Sequence, residues 1–341
     1  MERFEESIMK GLWNIHCFYN SARYAFLKVE HEYNKIVETS CITLPQLRVL
    51  WIIRSFPGIS LGEIAKIGSW SSPTVTKMLK ILMNKKLVIN DIHKNKKLYK
   101  LVITEAGEEY ININKQGRNE SFPLWILSKS LKNDEIILIK DFLKDITIKE
   151  DNQIISTYID NINKNALKID YNQFDINERK RLEDIVWFYN LLRTFILTIE
   201  GEHRQLLIKY NLTYPQLRAL WIIEAFPGIT SRQLSEISFW SPSTANVIVK
   251  NLYEKELIYK EKSQIKNSLY LYISSKGEKL IVDDFNENQN KLSIFNITNS
   301  ISISKLEKIN SILNRMNKCL GNEMVETYVK KTYEVIEKNY L

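Results

Sequence analysis

One block of this sequence occurs twice, and the distance between the copies never changes. Pro45-Gln46-Leu47-Arg48 returns as Pro215-Gln216-Leu217-Arg218, and Trp51-Ile52-Ile53 as Trp221-Ile222-Ile223. Phe56-Pro57-Gly58-Ile59 returns as Phe226-Pro227-Gly228-Ile229, and Trp70-Ser71 as Trp240-Ser241. Each pair is offset by 170 residues with no gap, and 27 of the 71 positions in 41–111 are identical in 211–281. The offset persists outside the block: Phe18-Tyr19-Asn20 matches Phe188-Tyr189-Asn190, and Thr157-Tyr158 matches Thr327-Tyr328. A period this long makes whole domains rather than turns of a solenoid, so two units are expected, near 1–170 and 171–341.

Few residues interrupt the regular structure within a unit. Only 10 Gly and 7 Pro occur in 341 residues, which predicts a mainly helical chain with short connections. A hydrophobic share of 44% with 26% charged residues is enough to bury a core. The net charge of +8 suits a polyanionic partner, nucleic acid or anionic membrane alike. No apolar run approaches the ~18 residues of a membrane span, and the start, Met1 to Glu6, lacks a signal-peptide pattern. A cytoplasmic protein with no membrane partner is expected. Cys17, Cys41 and Cys319 lie far apart with no CxxC pair, which argues for a reducing compartment and inert thiols. His16, His31, His93 and His203 show no metal-ligand spacing. No phosphate loop, paired-carboxylate pattern or nucleophile elbow occurs, so neither catalysis, cofactor nor metal is expected.

The first helix of each copy carries a seam spaced alternately four and three: Ile15, Tyr19, Ala22, Phe26, Val29, Tyr33 and Ile36, then Ile185, Tyr189, Leu192, Ile196, Ile199, His203 and Leu206. This is the period of a helix packed lengthwise on another helix, and it is expected to join the two units as well as fill a core. Leu44–Ser55 reads as an apolar helix opened by Pro45 and ended by Phe56-Pro57-Gly58. Ser60 caps a short helix to about Ile67, Gly68-Ser69 makes a turn, and Ser71 caps a longer helix over 72–87 with Val75, Leu79 and Leu82 inward. Its copy starts with Ser241-Pro242, a matched start signal. Leu87-Val88-Ile89 and Leu98–Ile103 flank a polar tip, as do Leu257-Ile258-Tyr259 and Leu269–Ile273, so each copy ends this stretch in a β-hairpin. Amphipathic helices follow near 132–147 and 151–167, and near 302–319 and 322–338. The order is that of a winged helix-turn-helix. The fold class expected is mainly α with small β-hairpin wings. Trp51, Trp70, Trp221 and Trp240 recur at matched sites and are expected in the core rather than around a ligand.

Four stretches resemble the MarR family of bacterial regulators. Leu61-Gly62-Glu63-Ile64-Ala65-Lys66-Ile67, Ser71-Ser72-Pro73-Thr74-Val75-Thr76-Lys77 and Leu82-Met83-Asn84-Lys85-Lys86-Leu87 look like that family's helix-turn-helix. Ile103-Thr104-Glu105-Ala106-Gly107 looks like its exit from the wing. Glu63 to Gly68 is closest to the Hpr-type repressors, and the tandem layout is similar to two-domain Sar-type regulators. The resemblance implies DNA binding, and, because the family dimerises, a dimer fused into one chain through its N- and C-terminal helices. The family's Asp-x-Arg wing element is missing here; the tip is His93-Lys94-Asn95-Lys96-Lys97.

In such a motif the second helix enters the major groove and its first turns meet base edges. The candidates are Ser72, Pro73, Thr74, Thr76, Lys77 and Lys80 in the first copy, and Pro242, Ser243, Thr244, Asn246, Val247 and Lys250 in the second. Asn246 suits a bidentate contact with adenine. Val247 replaces Lys77, so the copies are expected to read different bases. His93, Lys94, Asn95, Lys96 and Lys97 in one wing, and Lys262 and Lys266 in the other, are expected at phosphate or the minor groove. Residues 71–100 hold eight Lys and one Asp, against five Lys and three Glu in 241–270, so the first copy is expected to supply more of the salt-dependent affinity. A transcriptional regulator, a repressor on an imperfect palindrome, is the leading expectation. A plasmid replication initiator and an architectural DNA-bridging protein are the rivals. Operator, effector and any further self-association are left open.

Overall fold

The computed structural model describes residues 6–38, 40–90, 100–113, 123–147, 153–166, 176–262, 269–288, 293–297, 301–321, 325–331 and 334. The first repeat runs α1 (Glu6–Glu38), α2 (Leu44–Ser55), α3 (Leu61–Gly68), α4 (Ser72–Asn84), β1 (Val88–Asn90), β2 (Leu101–Ile103), α5 (Glu105–Ile113), α6 (Pro123–Ser130), α7 (Asn133–Thr147) and α8 (Gln153–Ala166). The second runs α9 (Ile176–Leu207), α10 (Tyr214–Ala225), β3 (Ile229–Thr230), α11 (Ser231–Ser238), α12 (Pro242–Glu254), β4 (Ile258–Lys262), β5 (Leu269–Ile273), α13 (Ser275–Asn288) and α14 (Ile303–Cys319), with 325–331 helical beyond it. The chain is mainly α, with a small antiparallel sheet in each repeat: two tandem winged helix-turn-helix domains. Among the described residues no helix is long and apolar enough to cross a membrane.

Local chemistry explains the starts and stops. Thr43 with Gln46 and Ser60 with Glu63 form capping boxes, and so do Thr213 with Gln216 and Thr230 with Gln233. Pro45 and Pro215 occupy first turns, where a missing N–H is harmless. After α2 the chain must turn back sharply. Gly58 does so at φ 86° and donates its N–H to Leu101 O at 2.9 Å; Gly228, at φ 82°, does the same to Leu271 O. The wing strands pair Val88 with Ile103 and Ile258 with Ile273. Helix α4 stops at Asn84 rather than running to 87. Lys86 takes the left-handed conformation (φ 58°), and Leu87 donates back to Leu82 O at 3.0 Å, which closes the helix end.

Packing cuts the chain at different places from the repeat. One compact unit comprises residues 29–197, and the other comprises 1–28 with 198–341. Each long first helix therefore gives its N-terminal arm to the body of the other repeat: 176–197 joins the first body, and 6–28 joins the second. The seam residues explain why the arms pack. Ile15, Ala22, Phe26, Ile185, Leu192 and Ile196 are all buried, and Phe18 and Phe188 beside them are fully so.

In the unit 29–197, Phe56 stacks on Tyr158 and Tyr33 meets Trp51 edge-on. Arg48 donates to Glu30 and, at 2.7 Å, to Tyr189 Oη, and Tyr189 donates to Glu30 as well, so the buried guanidinium is neutralised within one triad. In the other unit Tyr24, Leu217, Leu220, Leu252, Tyr328 and Val329 form one buried cluster against which Trp221 and Trp240 pack. The matched groups have exchanged partners there. Glu200 takes Arg23 at 3.0 Å, and Arg218 is left among Tyr328, Tyr214, Tyr24 and Tyr19, its Nε and Nη2 finding no acceptor among the described residues. A cavity of about 610 Å³ in this unit is lined by Tyr24, Phe226, Phe239, Val325 and Lys331 among others, and by none of the four matched tryptophans. Burial pushes the Cys17 thiol up to about 12, while Cys41 and Cys319 are exposed.

His16 sits on the arm 6–28 with Nε2 3.3 Å from Val329 O. Burial holds its pKa down to about 4, the Val329 contact raises it, and the Arg218 charge lowers it. A histidine kept neutral in the fold favours folding fully above its unfolded pKa of about 6.5, and that contribution fades as pH falls toward 4. Unfolding midpoints in urea are therefore expected to drop between pH 6.5 and 4, and the drop should be shallower in His16→Gln. Identical pH profiles for the two proteins would refute the assignment.

Candidate nucleic-acid interface

A helix that reads DNA needs a fixed buried face, a free outer face and an anchored start. α4 and α12 have all three. Val75, Met78, Leu79 and Leu82 are buried on one helix, and Ala245, Ile248, Val249 and Leu252 at the same positions on the other. That leaves Ser72, Pro73, Thr74, Thr76, Lys77 and Lys80 exposed together, and Pro242, Ser243, Thr244, Asn246, Val247 and Lys250 likewise. Ser71 Oγ and Ser241 Oγ accept from the N–H groups of Thr74 and Thr244, so the first turns are held. The dipole of each helix adds partial positive charge at that end.

The turn before each helix is tight. Ser69 (φ 55°) and Phe239 (φ 56°) both adopt the left-handed conformation, uncommon for a bulky phenylalanine. A side chain on Gly68 would strike the Trp70 ring. In the unit 29–197 the arm reaches this turn: Arg193 donates to Gly68 O at 3.2 Å and lies 5.8 Å from the Trp70 ring centroid. Burial, and then the Arg48 charge, hold Arg193 down to about 10, which keeps it cationic at neutral pH.

The far end of α4 is tied to the wing by a clasp. Thr104 Oγ1 donates to Lys86 O at 2.7 Å and accepts from Gly107 N–H at 3.1 Å. Ser274 repeats both bonds with Glu256 O and Gly277 at the same lengths. A Cβ on Gly107 or Gly277 would collide with the carbonyl oxygen of Leu87 or Leu257, so the fourth residue of each clasp has no room for a side chain.

Side-chain chemistry separates the two exposed faces. Thr76 Oγ1 donates back to Ser72 O at 2.9 Å. Asn246 Oδ1 accepts from Ser231 Oγ at 2.6 Å across the motif, which engages the acceptor that a bidentate adenine contact would use. The sequence offered no sign of Ser231, whose counterpart is Leu61. Val247 is 58% exposed where the first copy has Lys77. Lys250 lies 3.7 Å from Glu254, and Lys276 donates to Glu256 at 3.0 Å, so carboxylates temper the second face. On the first, Lys77, Lys80, Lys85, Lys86 and Lys100 are all exposed. Lys262 ends β4, exposed; His93, Lys94, Asn95, Lys96, Lys97 and Lys266 lie outside the described residues.

Comparison with known proteins matches the same two places. The MarR family model matches residues 42–95 and 212–264, which span α2 to the wing in one repeat and α10 to the wing in the other. Two solved structures are similar over part of this chain. The transcriptional regulator SlyA is 21% identical, over 40% of this chain and 96% of that one, with a TM-score of 0.34. A MepR mutant from a multidrug-resistant S. aureus clinical isolate is 20% identical, over 38% and 95%, with a TM-score of 0.27. No curated protein matches the chain.

Proposed function

Given two MarR-family domains in one chain, we propose that this protein is a sequence-specific regulator of transcription, a repressor, that binds double-stranded DNA as a single-chain pseudo-dimer on an imperfect palindrome. The observation that carries it is the pair of capped helices, α4 and α12, each with its candidate base-reading residues exposed on one face. The faces differ, and so do the half-sites. Lys77 and its neighbouring lysines give the first repeat the larger phosphate term. Asn246, its Oδ1 held by Ser231, offers Nδ2 as a donor to a base acceptor such as guanine O6 or N7. Val247 adds an apolar contact of the kind that favours a thymine methyl.

Genome-wide mapping of binding sites tests the regulator reading, which expects promoters; a replication origin or broad AT-rich tracts would reject it. Wing chemistry tests the asymmetry. With Lys94, Lys96 and Lys97 changed to Glu, the slope of log affinity against log salt should flatten by about 3 and affinity should fall at least about tenfold at 0.15 M salt. Changing Lys262 and Lys266 to Glu should have a clearly smaller effect. Equal losses from the two wings would remove the asymmetry.

A further inference from the structure

The two arms share part of their apolar face and differ in their polar contacts. Ala22 stands for Leu192 and Phe26 for Ile196, but Ile15 and Ile185, Phe18 and Phe188, and Tyr19 and Tyr189 fill matched buried places, so these three pairs cannot tell one arm from the other. The polar contacts can. In the unit 29–197, Lys140 Nζ on α7 donates to Asp184 Oδ1 at 2.6 Å. Arg181 donates to Asn133 and to the Leu131 carbonyl, and Lys144 Nζ lies 6.0 Å from the Trp187 ring centroid. In the other unit the arm 6–28 meets α14 through amides and a hydroxyl. Asn310 Nδ2 donates to Asn14 O and Oδ1 at 2.9 and 3.1 Å, Ser21 Oγ to Asn314 Oδ1 at 2.8 Å, and Asn317 Nδ2 to Ser21 O at 2.9 Å. The 170-residue offset makes these the same stations: Asp184 corresponds to Asn14, Lys140 to Asn310, Trp187 to Cys17, and Lys144 to Asn314.

We propose that these pairs form a recognition code that assigns each arm to the body of the other repeat and rejects the pairing of like with like, whether within a chain or between two copies of it. Seated on its own body, arm 6–28 would set Asn14 against Lys140, leaving that ammonium without a carboxylate. Gly11 would stand where Arg181 serves Asn133 and the Leu131 carbonyl. Arm 176–197 on its own body would set Asp184 against Asn310, an amide in place of the ammonium that Asp184 meets on the other body. Lys140 and Asp184 are only 23% and 20% exposed at their side chains, so an unpaired charge there is poorly solvated. Specificity comes from penalising the wrong seat as much as from bonding the right one.

Label exchange in the full-length chain tests the code. Asn14→Asp with Asp184→Asn swaps the arm labels, and Lys140→Asn with Asn310→Lys swaps the seat labels. Each two-residue exchange breaks both matched pairs and should lower the melting midpoint by about 5 °C. The four-residue chain restores one ionic and one amide pair, in exchanged places, and should recover most of that loss. The arms on their own bodies predict the opposite sign, because either exchange would then create matched pairs and raise the midpoint. A rise, no change, or a loss that the four-residue chain does not recover overturns the proposal.

Discussion

Methionine in place of Arg48 is expected to destabilise the fold by about 3–5 kcal/mol, whereas methionine in place of Arg218 should leave stability unchanged or raise it by about 1–2 kcal/mol. The two arginines occupy one position of the repeat and are both buried. Their difference is the partner. Arg48 answers the Glu30 carboxylate and the Tyr189 hydroxyl, so its removal strands a buried negative charge. Arg218 faces tyrosines, and two of its nitrogens have no acceptor among the described residues; its counterpart carboxylate, Glu200, is committed to Arg23. Its removal relieves a desolvated cation and strands no carboxylate. Urea unfolding with unchanged m-values decides the matter. Similar losses at both positions would show that Arg218 has a counter-charge in solution.

Alanine at Gly107 or at Gly277 should be about as damaging, at roughly 3 kcal/mol. The conflict is with backbone, the Leu87 or Leu257 carbonyl, and with the Ile103 or Ile273 side chain, so no simple rotamer change removes it. Relief requires moving the helix that follows the wing away from the end of the reading helix. DNA affinity should therefore fall even at temperatures where the variant remains folded. A variant with wild-type stability and affinity would mean that the clasp is looser than the Thr104 and Ser274 bonds make it.

These contrasts mark where sequence was sufficient. The repeat and the start and stop residues placed nearly every element, because Ser60, Ser71, Ser241 and the early prolines act locally. Helix α4 ends at Asn84, short of the 87 that its pattern predicts, since nothing about Lys86 as a residue type announces a left-handed conformation. The outer faces of α4 and α12 were legible because burial on a helix follows its period. What lay beyond the sequence was the choice among equivalent partners. A seam says that a helix is packed but not on which of two similar bodies. A matched Arg and Glu likewise leave open whether that Glu answers that Arg or another. Ser231 was invisible for the same reason: its link to Asn246 spans the motif and has no equivalent at Leu61.

The exchanged arms set a timetable. Residues 29–197 are contiguous, so that unit has all its parts once the chain has been made as far as Leu197. The other unit draws on both ends of the chain, and Asn14 meets a partner 296 residues later. During synthesis the arm 6–28 must wait, with its apolar face unmatched, for α14 to appear. One unit is thus complete while the ribosome is still at work, and the second matures only once α14 has been made. A message truncated between these points would yield one finished unit with an adhesive, unmatched arm, the species that a cell's chaperones would have most reason to hold.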